Sequence, residues 1–323
     1  MKKIIISLML LISPLNLLAY SEYIIPGGEN VGVNITSEGL IVVGFYKVNG
    51  KYIGSETLEI GDTILEIEGK KVSTINDINK YIKEENKESI VNIKILRNNI
   101  EINTTLRLVN DNGLYKTGLY IKDKVTGIGT LSYIDPETSL YGSLGHQIIM
   151  NETVNDIDIK KGTLYESAVE GIDRSVDGRV GSKNASISYN KKIGTIDKNT
   201  EVGIFGTYKN SLPTKEAIKV ADFKDIRLGK AFIYTTLNSN NIETFEIEIT
   251  GIDESAIKTN KSIVFRVVDE RLLEMTGGII QGMSGSPIVQ DNKIIGAVTH
   301  VVVDQVDKGY GVFIRTMLEE GER

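Results

Sequence analysis

Cysteine and tryptophan are absent from the 323 residues, and histidine occurs twice, as His146 and His300. Without cysteine there are no disulfides, no thiolate metal ligands and no cysteine nucleophile. Two histidines do not make a His-rich metal site, so no metal or other cofactor is expected. Any chemistry that needs an imidazole must use one of the two. The formal net charge of -6 and the lack of a long basic block remove the electrostatic basis for nucleic-acid binding.

What remains is an ordinary globular composition, 41% apolar and 25% charged, with enough length for two domains. Ile and Val are abundant, which predicts mainly β structure. Met1-Lys2-Lys3 precedes an apolar run from Ile4 to Ala19, and Ala19-Tyr20-Ser21 supplies small residues for cleavage. Residues 1–21 therefore read as a secretory signal or an uncleaved anchor, and the protein as exported. The run is short against the about 20 apolar residues of a usual span. The polar stretch from Ser21 to Asn30, broken by Pro26-Gly27-Gly28, reads as a linker.

Between about 28 and 110 a compact pattern follows. Val31-Gly32-Val33 and Gly39 to Phe45 read as two strands, and Ile60 to Val72 alternates and turns at Glu68-Gly69. Ser73 or Thr74 caps a helix from Ile75 to Ile82, and Asn98-Asn99 joins two more strands. This order of pieces resembles a PDZ domain of the bacterial, protease-associated kind. The resemblance implies that a peptide adds a strand beside Val33, its carboxylate held at Val31, Gly32 and Val33.

From 111 to 323 short Gly-bounded apolar segments recur, which predicts a β-barrel or sandwich. Helix is expected only near Ser167–Val169 and Thr316–Glu320. Gly171 to Ser188 reads as a surface loop or irregular hairpin.

The chemistry centres on Gly282-Met283-Ser284-Gly285-Ser286-Pro287. A serine nucleophile needs a base within reach, a group that orients the base, and donors aimed at the developing oxyanion. Ser284 sits at the turn, with the N–H groups of Gly282 and Ser284 as the donors. Ser286, next to the strand-starting proline, reads as structural. A hairpin at Asp291-Asn292-Lys293 and a return strand ending in Thr299-His300 follow. The run resembles the nucleophile region of trypsin-like serine peptidases. That resemblance puts Thr299 at a hydroxyl position near the catalytic pair and gives Thr299 and His300 to substrate binding. The base in such enzymes precedes the nucleophile, which fits His146; His300 then lines the pocket.

Gly277 to His300, Leu144-Gly145-His146, Val202 to Gly206 and Val268 to Leu273 together resemble the SpoIVB peptidase family of spore-forming bacteria. The resemblance implies a mainly β chain, an N-terminal PDZ domain followed by a trypsin-like double β-barrel serine peptidase domain. It implies a triad of His146, Asp269 and Ser284. Asp197 or Asp156 would replace Asp269 if the barrels follow the common plan. It also implies an endopeptidase in the space between forespore and mother cell. There it would cut a regulatory membrane protein, activating an intramembrane protease and a late sigma factor. It would cut itself, with Ser21 to Asn30 a candidate site, and its PDZ domain would bind a partner's segment or its own. Two alternatives stay open: a secreted PDZ-bearing quality-control protease, and a non-catalytic peptide-binding scaffold.

Overall fold

A computed structural model of the chain describes residues 20–84, 90–149 and 159–322. The leader expected over 1–21 lies almost wholly outside these residues, as does Asp156. Alternating β-branched residues give long strands, and the architecture is mainly β. The chain enters on β1 (Tyr23–Pro26) and β2 (Asn30–Phe45). It then makes a small unit of β3 (Thr63–Ile67), β4 (Lys70–Lys71), α1 (Ile75–Glu84), β5 (Ile90–Arg97) and β6 (Ile100–Arg107). A hairpin, β7 (Val109–Asp111) and β8 (Leu114–Lys116), leads to β9 (Leu119–Ile134), which returns along β2 from Phe45 to Asn30.

The first barrel adds β10 (Leu140–Ser143), β11 (Ile159–Asp173), β12 (Ser182–Ile196), β13 (Lys198–Thr200) and β14 (Gly203–Thr207). Its pairing runs β12–β11–β2–β9–β10–β14. A Gly194–Tyr208 bridge and a hydrogen bond from Lys209 N–H to the Ile193 carbonyl close the ring. Val31, Val33, Leu131, Tyr141, Leu164 and Ile204 fill it.

The second barrel is built from β15 (Ile218–Val220), β16 (Gly229–Asn238), β17 (Asn241–Ile252), β18 (Ile263–Val267), β19 (Pro287–Gln290), β20 (Lys293–Val302) and β21 (Gln305–Phe313). Its antiparallel ring runs β16–β17–β18–β21–β20–β19 and back to β16, which leaves no open edge in the ring. Phe245, Phe265, Met283 and Ile288 lie in its core. Helix α2 (Glu270–Thr276) links β18 to the serine-bearing loop, and α3 (Ile314–Glu322) closes the chain with Ile314, Met317 and Leu318 buried.

Local turn chemistry follows the sequence. The φ angles are positive at Glu68-Gly69, Asn98-Asn99 and Asp291-Asn292, and α1 starts where its cap predicts, with Ser73 and Thr74 N–H groups on the Asp77 carboxylate.

Larger assignments differ. The two strands expected over 31–45 are one strand, β2, and its first half belongs to the barrel. Val31, Gly32 and Val33 pair on one side with Gly129, Ile128 and Gly127, and on the other with Glu166, Tyr165 and Leu164. Both edges are used, so no peptide can add there, and the expected carboxylate site at Val31, Gly32 and Val33 is corrected. Glycine at 32 answers to packing: a Cβ would come within 2.6 Å of Ile187 Cγ2. The division expected near 110 shifts for the same reason. The small unit, with its own core of Leu40, Ile64, Ile78, Ile93 and Leu106, is an excursion between two strands of the barrel.

The linker expected from Ser21 to Asn30 is instead ordered and mostly buried, with Glu22 and Tyr23 exposed. Ile24 pairs with Ile218 of β15 and Ile25 with Ile134 of β9, so β1 spans both barrels. The Ser21 N–H and hydroxyl both donate to Asp135, which is 2% exposed. The exposed Glu22 and Tyr23 are followed directly by the buried Ile24 and Ile25. Ser167–Val169 lies in β11, not in helix, whereas Gly171 to Ser188 is, as one of its two readings has it, an irregular hairpin, joining the end of β11 to the start of β12 with a register shift near Gly171.

Candidate active site

The serine-bearing loop is fixed peptide by peptide. Gln281 N–H donates to the Gly181 carbonyl at 2.8 Å, and the Gln281 carbonyl accepts from Lys183 N–H at 2.9 Å. The Gly282 carbonyl accepts from the Thr130 hydroxyl at 2.7 Å, and that of Ser284 from Thr130 N–H at 2.9 Å. The Met283 carbonyl accepts from Ser286 N–H at 2.9 Å, and Gly285 N–H donates to Val298 at 2.7 Å. In a trans peptide the C=O and N–H point opposite ways. Holding the Gln281 and Met283 carbonyls inward therefore turns the Gly282 and Ser284 N–H groups the other way. Neither of these N–H groups has an acceptor among the described residues. Gly282 has φ +93°, which favours glycine, and a Cβ there would lie a tight 3.0–3.2 Å from the Lys183 side chain.

His146, Gly282, Ser284, Thr299 and His300 line one cleft of about 890 Å³. His146 comes from the first barrel, on the turn after β10, and Ser284 from the second. The Ser284 hydroxyl donates to the Thr299 carbonyl at 2.9 Å, and no hydrogen bond joins it to His146. The ring Nδ1 of His146 donates to the Gln147 carbonyl at 2.7 Å. That bond fixes the tautomer and leaves Nε2 as an acceptor. Burial holds the His146 pKa below its usual value, against a smaller opposing effect of the Gln147 carbonyl. The His300 ring lies 5.3 Å from that of His146, and its buried Nδ1 has no partner. Burial, then His146, then Lys261 lower the His300 pKa to about 4. At neutral pH both rings are uncharged, so His146 can take up a proton.

The carboxylate is where expectation and structure part. Asp269 is the N-cap of α2: one oxygen accepts from Leu272 N–H at 3.0 Å and the other from Glu246 N–H at 3.2 Å. It makes no contact with the His146 ring, so its expected role as the orienting acid is corrected to a helix cap. Asp197 accepts from the Thr195 hydroxyl and is no partner of the ring either. The group that orients His146 here is a main-chain carbonyl, which no sequence pattern marks. Thr299 also differs: its hydroxyl is turned away to the carbonyls of Asn260 and Tyr310, and its carbonyl meets Ser284. Ser286 is fully buried, in keeping with a structural place.

Two residues not singled out in the sequence stand directly behind the loop, Thr130 and Lys183. Thr130 sits among the glycine-bounded strand residues, and Lys183 in a polar stretch that resembles exposed chain.

The family model described as SpoIVB peptidase S55 matches residues 113–318. No curated protein matches the chain. Among solved structures, the active form of the Rv3671c protease from M. tuberculosis is similar at 16% identity and a TM-score of 0.33, over 60% of this chain and 74% of that one. The HtrA-type protease AlgW with a decapeptide is similar at 11% identity and a TM-score of 0.35, over 66% of this chain and 54% of that one.

Proposed function

The chain belongs to the SpoIVB peptidase S55 family, a family of serine peptidases, and from that premise we propose that Ser284 is its nucleophile and His146 its general base. The observation that carries this reading is the open pair of N–H groups at Gly282 and Ser284, in the cleft that both side chains line. In the reaction the Ser284 hydroxyl turns from the Thr299 carbonyl toward His146 Nε2. Oγ attacks the peptide carbonyl carbon while its proton passes to Nε2, and the oxygen of the tetrahedral intermediate takes up the two N–H groups. The intermediate collapses as the C–N bond breaks, and His146 returns the proton to the leaving amine. Water then attacks the acyl group, again with His146 as base. The Gln147 carbonyl supports the imidazolium through Nδ1, in place of a carboxylate.

Family membership and the Met1-Lys2-Lys3 leader pattern support the finer reading. We take the protein to be exported and to cut the ectodomain of a regulatory membrane protein during sporulation. The small unit between β2 and β9 is read as a PDZ-like module, on its order of strands and helix, with any docking edge away from Val31–Val33.

Labelling with a fluorophosphonate tests the assignment. Loss of labelling in Ser284→Ala and its retention in Ser286→Ala are expected. A folded wild type that takes no label would favour a peptide-binding scaffold. Cleavage of the ectodomain but not of casein would separate a signalling protease from a quality-control one.

A further inference from the structure

Lys183 is 3% exposed, at the start of β12, and no carboxylate among the described residues pairs with it. Its Nζ lies 3.0 Å from the Thr235 hydroxyl of β16 and 3.3 Å from the Thr130 hydroxyl of β9. A lone buried amine of this kind opposes folding, because burial disfavours its charged form. Burial alone lowers its pKa to about 7, with no charged group contributing. Such a residue is a poor choice for stability, where a methionine of similar length would fill the space. Its surroundings supply a reason for its presence.

A threonine hydroxyl has one proton and can rotate. The Thr130 hydroxyl sends that proton to the Gly282 carbonyl. With the Lys183 amine donating to the Thr130 oxygen, the proton has one remaining direction, toward Gly282. The chain of donors runs Lys183 Nζ, Thr130 Oγ1, Gly282 carbonyl, and each bond strengthens the next. Lys183 acts on the same loop twice more. Its N–H holds the Gln281 carbonyl, and its methylene stem packs where a Gly282 side chain would stand. Thr130 in turn reaches the histidine side of the cleft, because its carbonyl accepts from Leu144 N–H at 3.2 Å and from the Ser143 hydroxyl at 2.6 Å.

We propose that Lys183, acting through Thr130, is a positioning residue: it holds the Gly282 carbonyl, and with it the Gly282–Met283 peptide that lies between the two open N–H groups, and so fixes how the Gly282 and Ser284 N–H groups are set relative to one another toward the oxyanion. It touches neither substrate nor Ser284. The inference rests on the assignment of Ser284 as nucleophile.

The test uses the full chain and a fluorophosphonate probe, with the maximal labelling rate and the probe affinity measured separately, alongside the melting temperature at pH 7. Lys183→Met is expected to slow the maximal rate at least tenfold, to leave probe affinity within threefold, and not to lower the melting temperature. Thr130→Val is expected to slow labelling similarly, and Thr130→Ser, which keeps the hydroxyl, to restore it to within threefold of wild type. Labelling of Lys183→Met at the wild-type rate would overturn the proposal. So would a loss that only tracks the unfolded fraction, or equal rates for Thr130→Val and Thr130→Ser. If Lys183→Met does not fold, the Thr130 pair decides alone. Wild type that takes no label would remove the nucleophile assignment and this inference together. Labelled wild type with unaffected variants would remove the inference only.

Discussion

The two walls of the cleft are held very differently. On the serine wall, β9, β12 and β20 grip the carbonyls and N–H groups from Gln281 to Ser286, and the Gly282 and Ser284 N–H groups are left free. On the histidine wall, the His146 ring has one hydrogen bond, to the carbonyl of the next residue. The turn beyond it is tied by Asn199, whose side chain accepts from Ile148 N–H at 2.7 Å and donates to the Ile148 carbonyl at 2.9 Å. On the proposed mechanism the oxyanion pocket is thus built before substrate arrives, whereas the pairing of base with nucleophile is left to a final side-chain movement. Preorganised dipoles cost no reorganisation during the reaction, and a proton acceptor needs only to be in reach when the hydroxyl attacks.

The contrast can be broken or sharpened by substitution. Ser284→Ala and His146→Ala should each lower peptide hydrolysis by about 10⁴-fold or more, because members of such a pair act as a unit. A residual rate near wild type in His146→Ala would mean that another base serves, and kcat with a peptide substrate decides this. Asn199→Ala should come next. Freeing the turn that carries His146 is expected to lower kcat about tenfold, since small misplacements of a catalytic group are costly. An unchanged kcat would show that the histidine wall is held by something other than Asn199.

Asp269→Asn is expected to keep the cap bond to Leu272 and lose that to Glu246, at about 1 kcal/mol of stability. Labelling should stay within about threefold of wild type, since Asp269 only caps a helix. In a triad, loss of the orienting charge costs about 10⁴-fold, so a fall of that size would return Asp269 to the imidazole. The smallest effect concerns pH. With His146 as the proposed base, its neutral ring is the active form, and burial lowers its pKa, so the acid limb of the rate profile should have its midpoint below pH 6.5. Both histidines bind a proton less readily folded than unfolded. Their contribution to stability is therefore lost as pH falls from 6.5 through the folded values, about 4 for His300. His300→Gln should flatten the fall in melting temperature across that window.

Much of this was legible in the chain because it is local. The Gly282-Met283-Ser284-Gly285 turn demands glycine for backbone reasons, the Asp291-Asn292 hairpin declares itself, and only two histidines compete for the role of base. What was not legible depends on which distant strand arrives beside which. Val31-Gly32-Val33 has the same alternation whether it edges a peptide groove or fills a barrel, and only the arrival of β9 and β11 decides. Likeness of segment points to Asp269, but its position at the head of α2 commits both carboxylate oxygens to main-chain donors. Lys183 reads as a solvated lysine until Thr130 and Thr235 are brought to it from β9 and β16.

The opening ribbon, β1, ties the two barrels together. Its first two residues are stitched to one half of the enzyme and its last two to the other, with Ile24 and Ile25 sealed beneath. It works as a hem shared by both halves. A nick between Tyr23 and Pro26 would unpick the seam along which the cleft is assembled.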